Sequence, residues 1–262
     1  MSACCQQRVP PTALRIGIIM SARPPTRMEL ELERGEDVDT ADLPSLPSGR
    51  SLAIRQAPVI DAGTGGKVWP AAAVMCRWLR CQQAELRGSS ILELGCGAGA
   101  CGIFAAALGA SRVMLTDGED AAVGLAARNA QDNRTMLGGA DVRAGRLLWG
   151  GRSEVLPKGP WDFVLASDVL YRTGAWKDLA ATLRNLCAAQ ERPPRMLLAL
   201  AHRHSGPLIT EAMWAQAPGM YATSLRKEER PGSSAAAPSQ RGAEAELEVA
   251  VSVMEVKRRV AQ

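Results

Sequence analysis

Apolar positions along this chain fall into two rhythms, one with a period near 3.6 residues and one of short solid runs. Ala71, Val74, Met75, Trp78 and Leu79 recur at helical spacing after Pro70, whose missing N–H suits a first helical position, and Gly88 is expected to stop that element. The run ILEL at 91–94 predicts a buried strand, 101–108 a helix ended by Gly109, and VMLT at 113–116 a second strand. A third helix is predicted over 121–133, with Glu119 and Asp120 complementing its N-terminal dipole. Residues 141–148 and 161–167 predict two further strands. Trp176, Leu179, Ala180, Leu183 and Cys187 then mark an amphipathic helix, followed by the strand RMLLALA at 195–201 and a last helix carrying Leu208, Ile209, Ala212 and Met213. Two strands close the chain, 221–227 and 246–256, the second alternating Leu247, Val249, Val251 and Val253 as a half-buried strand does. Strands that alternate with helices imply a mainly parallel sheet, and a final pair joined without a helix implies an antiparallel edge hairpin.

Outside this pattern lie two segments of different character. Residues 1–50 hold Pro10-Pro11, Pro24-Pro25, Pro44 and Pro47 with no sustained periodicity and read as a mostly disordered extension to a domain over 51–262. The loop at 231–243, PGSSAAAPSQRGA, is of low complexity. The first 28 residues carry four arginines and no acid, as a transit peptide would, or as a chain whose start codon lies at Met28; a cytoplasmic protein is the expectation adopted. The 262 residues carry a formal charge of +4, too slight to call for a nucleic-acid partner, and Lys257-Arg258-Arg259 reads as a solvated strand tip. Seven cysteines form no C-x-x-C pair and suggest reduced thiols in an intracellular compartment. With only His202 and His204 as histidine ligands, no metal site is expected. No apolar stretch nears the roughly 20 residues that span a bilayer.

The chemistry is concentrated where the first strand ends. ILELGCGAG at 91–99 places Gly95, Gly97 and Gly99 in a turn that lets backbone approach a ligand, and Asp117 stands at the end of the next strand, where a carboxylate can accept from two ribose hydroxyls. Gly95-x-Gly97-x-x-Ala100 also satisfies a dinucleotide fingerprint. Glu93 argues against one. A pyrophosphate on the helix N-terminus would meet a carboxylate two residues before the first glycine, whereas the ammonium and sulfonium of S-adenosylmethionine would meet a favourable charge.

Five motifs in order carry a resemblance to methyltransferase family 16, the seven-β-strand protein lysine methyltransferases. LAIRQ at 52–56 resembles the family's leading strand and GTGGKVWPAA at 63–72 its entry to the first helix. ILELGCGAG resembles its cofactor loop, LLWG at 147–150 its tryptophan after the third strand, and ASDVLY at 166–171 its Asp-x-x-Tyr motif. The resemblance runs from about Ser51 to the C-terminus and implies a Rossmann-like α/β sheet of strand order 3-2-1-4-5-7-6. It implies S-adenosyl-L-methionine as cofactor. Gly95, Cys96 and Gly97 would touch its aminoacyl part through backbone, Glu93 would lie near its ammonium, and Asp117 would hold its ribose. Trp69 and Trp149 would line the cleft, and Ser167 would add a backbone contact. Trp78, Trp161, Trp176 and Trp214 fall at packing positions and are assigned to structure.

On the acceptor side stand Asp168, which would attract and orient a lysine ammonium, and Tyr171, which would orient the amine or flank it. A lysine of pKa about 10.4 must lose its proton at a cost of roughly 4–5 kcal/mol near pH 7, and the nearby sulfonium with desolvation lowers that cost. The expected function is methyl transfer to a protein side chain, the lysine ε-amine, by a monomer with a protein substrate and no membrane partner. Methylation of arginine, a small molecule or nucleic acid is the alternative within the fold; a nicotinamide oxidoreductase and a noncatalytic binding module are the alternatives beyond it. Pro70 stands where lysine-specific members often carry an acid, and AHRHS at 201–205 offers no substrate motif. The resemblance therefore speaks to the reaction more than to the target.

Overall fold

The computed structural model describes residues 43–58, 61, 63–151, 155–171, 175–202, 220–228 and 250–258. Helix α1 spans Pro70–Cys81 and a short α2 spans Gln83–Leu86; β1 is Ser90–Leu94, α3 Ala100–Ala107, β2 Arg112–Asp117 and α4 Asp120–Asp132. Then follow β3 Asp141–Arg146, β4 Phe163–Ser167, α5 Trp176–Ala188, β5 Arg195–His202, β6 Met220–Glu228 and β7 Ala250–Arg258. The seven strands form one sheet in the order β3-β2-β1-β4-β5-β7-β6, as the resemblance implied. The first five are parallel, and β7 inserts antiparallel between β5 and β6. The expected final helix, the loop at 231–243, His204, Trp214 and most of the first fifty residues lie outside the described residues. Packed structure begins ahead of Ser51, for Leu46 is buried in the core and Ser45 C=O accepts from Arg80.

Two cores sandwich the sheet, and strand alternation allots residues between them. Ile91, Phe163, Leu165 and Leu197 point to the side covered by α1, α3 and α4, whereas Leu92, Leu94, Val164, Ala166 and Leu198 point to the side covered by α5. Central strands buried on both faces read as solid apolar runs for this reason. Trp78, Trp161 and Trp176 are all buried in these cores, as their spacing predicts. Two of them carry guanidinium groups on their rings: Arg195 lies 5.3 Å from Trp78, and Arg112 lies 4.0 Å from Trp161. The first helix is shorter than its pattern: α1 stops at Cys81 and α2 takes over before Gly88.

LAIRQ, expected as a leading strand, is instead an extended segment outside the sheet. Two asparagines one turn apart, Asn129 on α4 and Asn133 at its C-cap, take the place of a neighbouring strand. Asn133 accepts from Ala53 N–H at 3.0 Å and donates to Ala53 C=O at 2.8 Å. Asn129 accepts from Arg55 N–H at 3.0 Å and donates to Arg55 C=O at 3.1 Å. An amide side chain offers the same donor and acceptor pair as a peptide group, so it can stand in for one. Asn129 also donates to Ala98 C=O in the glycine loop at 2.9 Å, and none of its surface is exposed. One amide thus fastens the leading segment, α4 and the loop. Replacing it with leucine strands three backbone groups, one buried and two part-buried, and should cost about 2–4 kcal/mol in chemical denaturation; a loss below 1 kcal/mol would show that the bonds contribute little.

Candidate active site

At the carboxyl ends of β1, β2 and β4 the sheet opens into a cleft of about 1180 Å³. This is where open α/β sheets place their ligands. All ten residues singled out from the sequence line it: Trp69, Glu93, Gly95, Cys96, Gly97, Asp117, Trp149, Ser167, Asp168 and Tyr171.

Thr116, fully buried, holds the loop at its root. Its hydroxyl donates to Glu93 C=O at 2.6 Å, and its own carbonyl accepts from Cys96 N–H at 2.9 Å. The chain then turns through Gly95, Gly97 and Gly99, all at positive φ, into α3. Gly97 admits no side chain: a Cβ there would lie 2.8 Å from Gly65 C=O in the 3-10 turn Gly63–Gly66. Asp117 closes the loop from β2, its carboxylate accepting from Gly97 N–H at 2.9 Å and Glu119 N–H at 3.1 Å. Burial raises its pKa from the ordinary aspartate value, against the pull of those bonds.

Glu93 is only 2% exposed and shares the face of Ile91, beneath α3. Gly102 N–H, in the first turn of α3, donates to Glu93 Oε2 at 2.8 Å. Gly102 makes that approach possible, since a Cβ would meet Leu115 at 2.4 Å and the Glu93 carboxyl at 2.7 Å. Among the described residues no lysine or arginine pairs with it. Desolvation pushes Glu93 up to about 8, opposed by the Gly102 bond and helped by the Asp117 charge. The carboxyl is therefore mostly protonated at neutral pH in the free protein, and not the standing negative charge the sequence suggested. The Cys101 thiol also faces it, raised well above its ordinary value by the neighbouring Cys76 thiol and by burial. Ser167 Oγ, buried beside Cys101, has no full hydrogen-bond partner among the described residues.

At the mouth, Asp168 is 7% exposed and takes a left-handed conformation at φ 54°, with its N–H donating to Ala199 C=O at 2.8 Å. That backbone state costs an aspartate about 1 kcal/mol and aims the turn after β4 toward the cleft. Tyr171 is half-exposed, and its hydroxyl lies 2.9 Å from Thr64 Oγ1. Trp69 donates its indole N–H to Thr64 C=O at 2.9 Å. Trp149 packs against the α5 core and reaches the glycine loop, its ring edge 3.2 Å from where a Cβ on Gly95 would stand. It serves core and cleft at once.

Thr64, Gly65 and Gly102 were not foreseen. Thr64 and Gly65 sit inside the GTGG string, but Tyr171 and Gly97, which they meet, are distant in sequence. Gly102 carried a signal, a glycine interrupting an apolar helix, which often marks a close approach.

Among the lining groups are the carboxyls of Asp61, Glu93, Asp117, Glu119, Asp168 and Asp178 and the single ammonium of Lys67. An anionic pyrophosphate would be repelled by such walls, while a ligand with cationic and hydroxyl groups would be matched by them. S-adenosylmethionine, with its ammonium, sulfonium and ribose diol, fits that donor set.

Comparison with known proteins agrees. A family model for lysine methyltransferases matches residues 48–208. Protein N-lysine methyltransferase METTL21A of Danio rerio is 34% identical over 154 residues, covering 55% of this chain and 70% of that protein. EEF1A lysine methyltransferase 3 of Mus musculus is 35% identical over 141 residues, 53% of this chain and 58% of its own. Calmodulin-lysine N-methyltransferase of Arabidopsis thaliana is 33% identical over 124 residues, 47% of this chain and 41% of its own. The matched stretch thus spans 41% to 70% of those relatives' own lengths. With its glycine loop, its Asp-x-x-Tyr turn and a family match over more than half its length, the chain belongs to the lysine methyltransferase family, methyltransferase family 16.

Proposed function

We propose that this chain transfers a methyl group from S-adenosyl-L-methionine to a lysine ε-amine of a protein. The observation that carries the reading is one cleft joining a glycine loop closed by Asp117 to the Asp168–Tyr171 turn. The cofactor supplies an electrophilic methyl on a sulfonium, and the chain's task is to hold two partners in line and keep water out.

Gly95, Cys96 and Gly97 offer backbone at close range, because no Cβ stands in the way at either glycine. The Asp117 carboxylate already gathers two N–H donors and has lone pairs left for ribose hydroxyls. Glu93 meets the ammonium from below as a neutral acid, and pairing with that cation favours its ionised form. Trp69 and Trp149 give apolar walls, and Ser167 adds backbone at the end of β4. On the other side, Asp168 draws in the cationic lysine and Tyr171 bounds its path. Desolvation in the cleft and the sulfonium charge then favour the neutral, nucleophilic amine. Leu148, exposed at the rim, adds apolar surface for the residues around that lysine. The acidic lining suits a basic segment.

Two measurements test this reading. Radiolabelled methyl transfer into a fractionated cell extract should label a discrete protein band with wild type, and none with Asp168→Ala or Gly97→Arg. Asp168→Ala should keep its affinity for S-adenosylhomocysteine, whereas Gly97→Arg should lose it. Label in nucleic acid or small molecules would displace the acceptor; binding of NADH in place of S-adenosylhomocysteine would displace the cofactor.

The second concerns pH. Below about 8 the free protein holds a proton on Glu93 that the bound ammonium must displace. Affinity for S-adenosylhomocysteine in titration calorimetry should therefore rise between pH 6 and 8, by up to about tenfold per unit, and level off above. Glu93→Gln should flatten the profile. A wild-type affinity indifferent to pH would place Glu93 away from the ammonium.

A further inference from the structure

The 3-10 turn Gly63–Gly66 touches the cofactor loop with one residue and the rim of the cleft with the residue beside it. Gly65 packs its Cα and carbonyl on Gly97, and a Cβ on Gly65 would come within 3.9 Å of Asp117 Oδ2 and 3.0 Å of Ala122. Thr64, the residue before it, holds both aromatics of the mouth. Its hydroxyl bonds Tyr171 Oη across 107 residues of sequence, and its carbonyl bonds the Trp69 indole. Those two rings are among the exposed large apolar side chains of the described residues, at 51% and 36%.

An exposed hydrogen bond competes with water and adds little to folding stability. What it does here is restrict motion. Tyr171 belongs to the turn after β4, and Trp69 precedes α1. The described hydrogen bonds join these two side chains through Thr64.

We propose that Thr64 is a positioning residue of the acceptor channel, its hydroxyl holding Tyr171 as a wall for the apolar stem of a lysine, while its backbone carbonyl holds Trp69 on the cofactor side. Gly65 registers this turn against the cofactor loop. The Thr64 hydroxyl acts on the acceptor only through Tyr171, so it governs methyl transfer and not cofactor affinity. This rests on the function proposed above.

The test is a double-mutant cycle with Thr64→Val, Tyr171→Phe and both together, plus Thr64→Ser as the conservative variant. Two quantities are read: S-adenosylhomocysteine affinity by calorimetry, and the initial rate of tritiated methyl incorporation into the band labelled by wild type. Thr64→Val and Tyr171→Phe should each slow incorporation about five- to tenfold, and the double variant should be no slower than the worse single one, because one bond is lost in all three. Thr64→Ser should restore the rate, and every variant should bind S-adenosylhomocysteine within about twofold of wild type. An undiminished rate in Thr64→Val, multiplying losses in the double variant, or affinity falling in step with rate would overturn the proposal. Wild type that binds S-adenosylhomocysteine yet labels no protein would overturn the proposed function, and the channel role with it. Wild type that fails to bind S-adenosylhomocysteine would overturn the cofactor reading as well.

Discussion

A strand buried on both faces leaves no neutral side on which to set a carboxyl group. In β1 every second residue enters one core and the rest enter the other, so Glu93 is committed to the face of Ile91, beneath α3. The first turn of that helix supplies an N–H, and Gly102 supplies the room. The consequence is a carboxyl that burial keeps protonated near neutrality at the floor of an otherwise acidic cleft. The charge at this position is then not fixed in advance. It depends on the charges brought beside it.

Around this floor the cleft is assembled by bonds between segments far apart in the chain. Asn129 joins the leading segment to the glycine loop, Asp117 joins the second strand to that loop, and Thr64 joins the entry turn to the tyrosine after β4. Each uses a polar side chain to satisfy a backbone or hydroxyl group that no ladder reaches. The ties grow more exposed from root to rim. Asn129 is wholly buried, Asp117 is half-buried, and the Thr64–Tyr171 pair faces solvent. Hydrogen-bonded ties are thus most protected under the glycine loop and least at the rim of the cleft.

Element types and their order were legible because the signals are local. Solid apolar runs, the 3.6-residue rhythm and glycine turns are dictated by burial and backbone sterics within a dozen residues. That the ten residues line one cleft was legible for a related reason, since most of them stand at strand ends or in the turns after them, where open α/β sheets place their clefts. LAIRQ shows the limit of such signals. Its alternation is that of a strand, but its partners are two amide side chains on α4 and its C-cap, and side-chain pairing leaves no periodic trace. The ionisation of Glu93 was equally hidden, since a pKa depends on the surroundings of the folded chain.

The sequence by itself determined the α/β class, the glycine loop, the carboxylates at the strand ends and the family, each through short motifs whose chemistry is local. Tertiary structure decided the rest: which core Glu93 enters, that Asn129 and Asn133 replace a strand, and that Thr64 and Tyr171 meet. These depend on contacts spanning about 9 to 107 residues. Burial, charge state and the meeting of two distant hydroxyls are properties of the packed sheet and helices, and they exist only once the strands have taken their order.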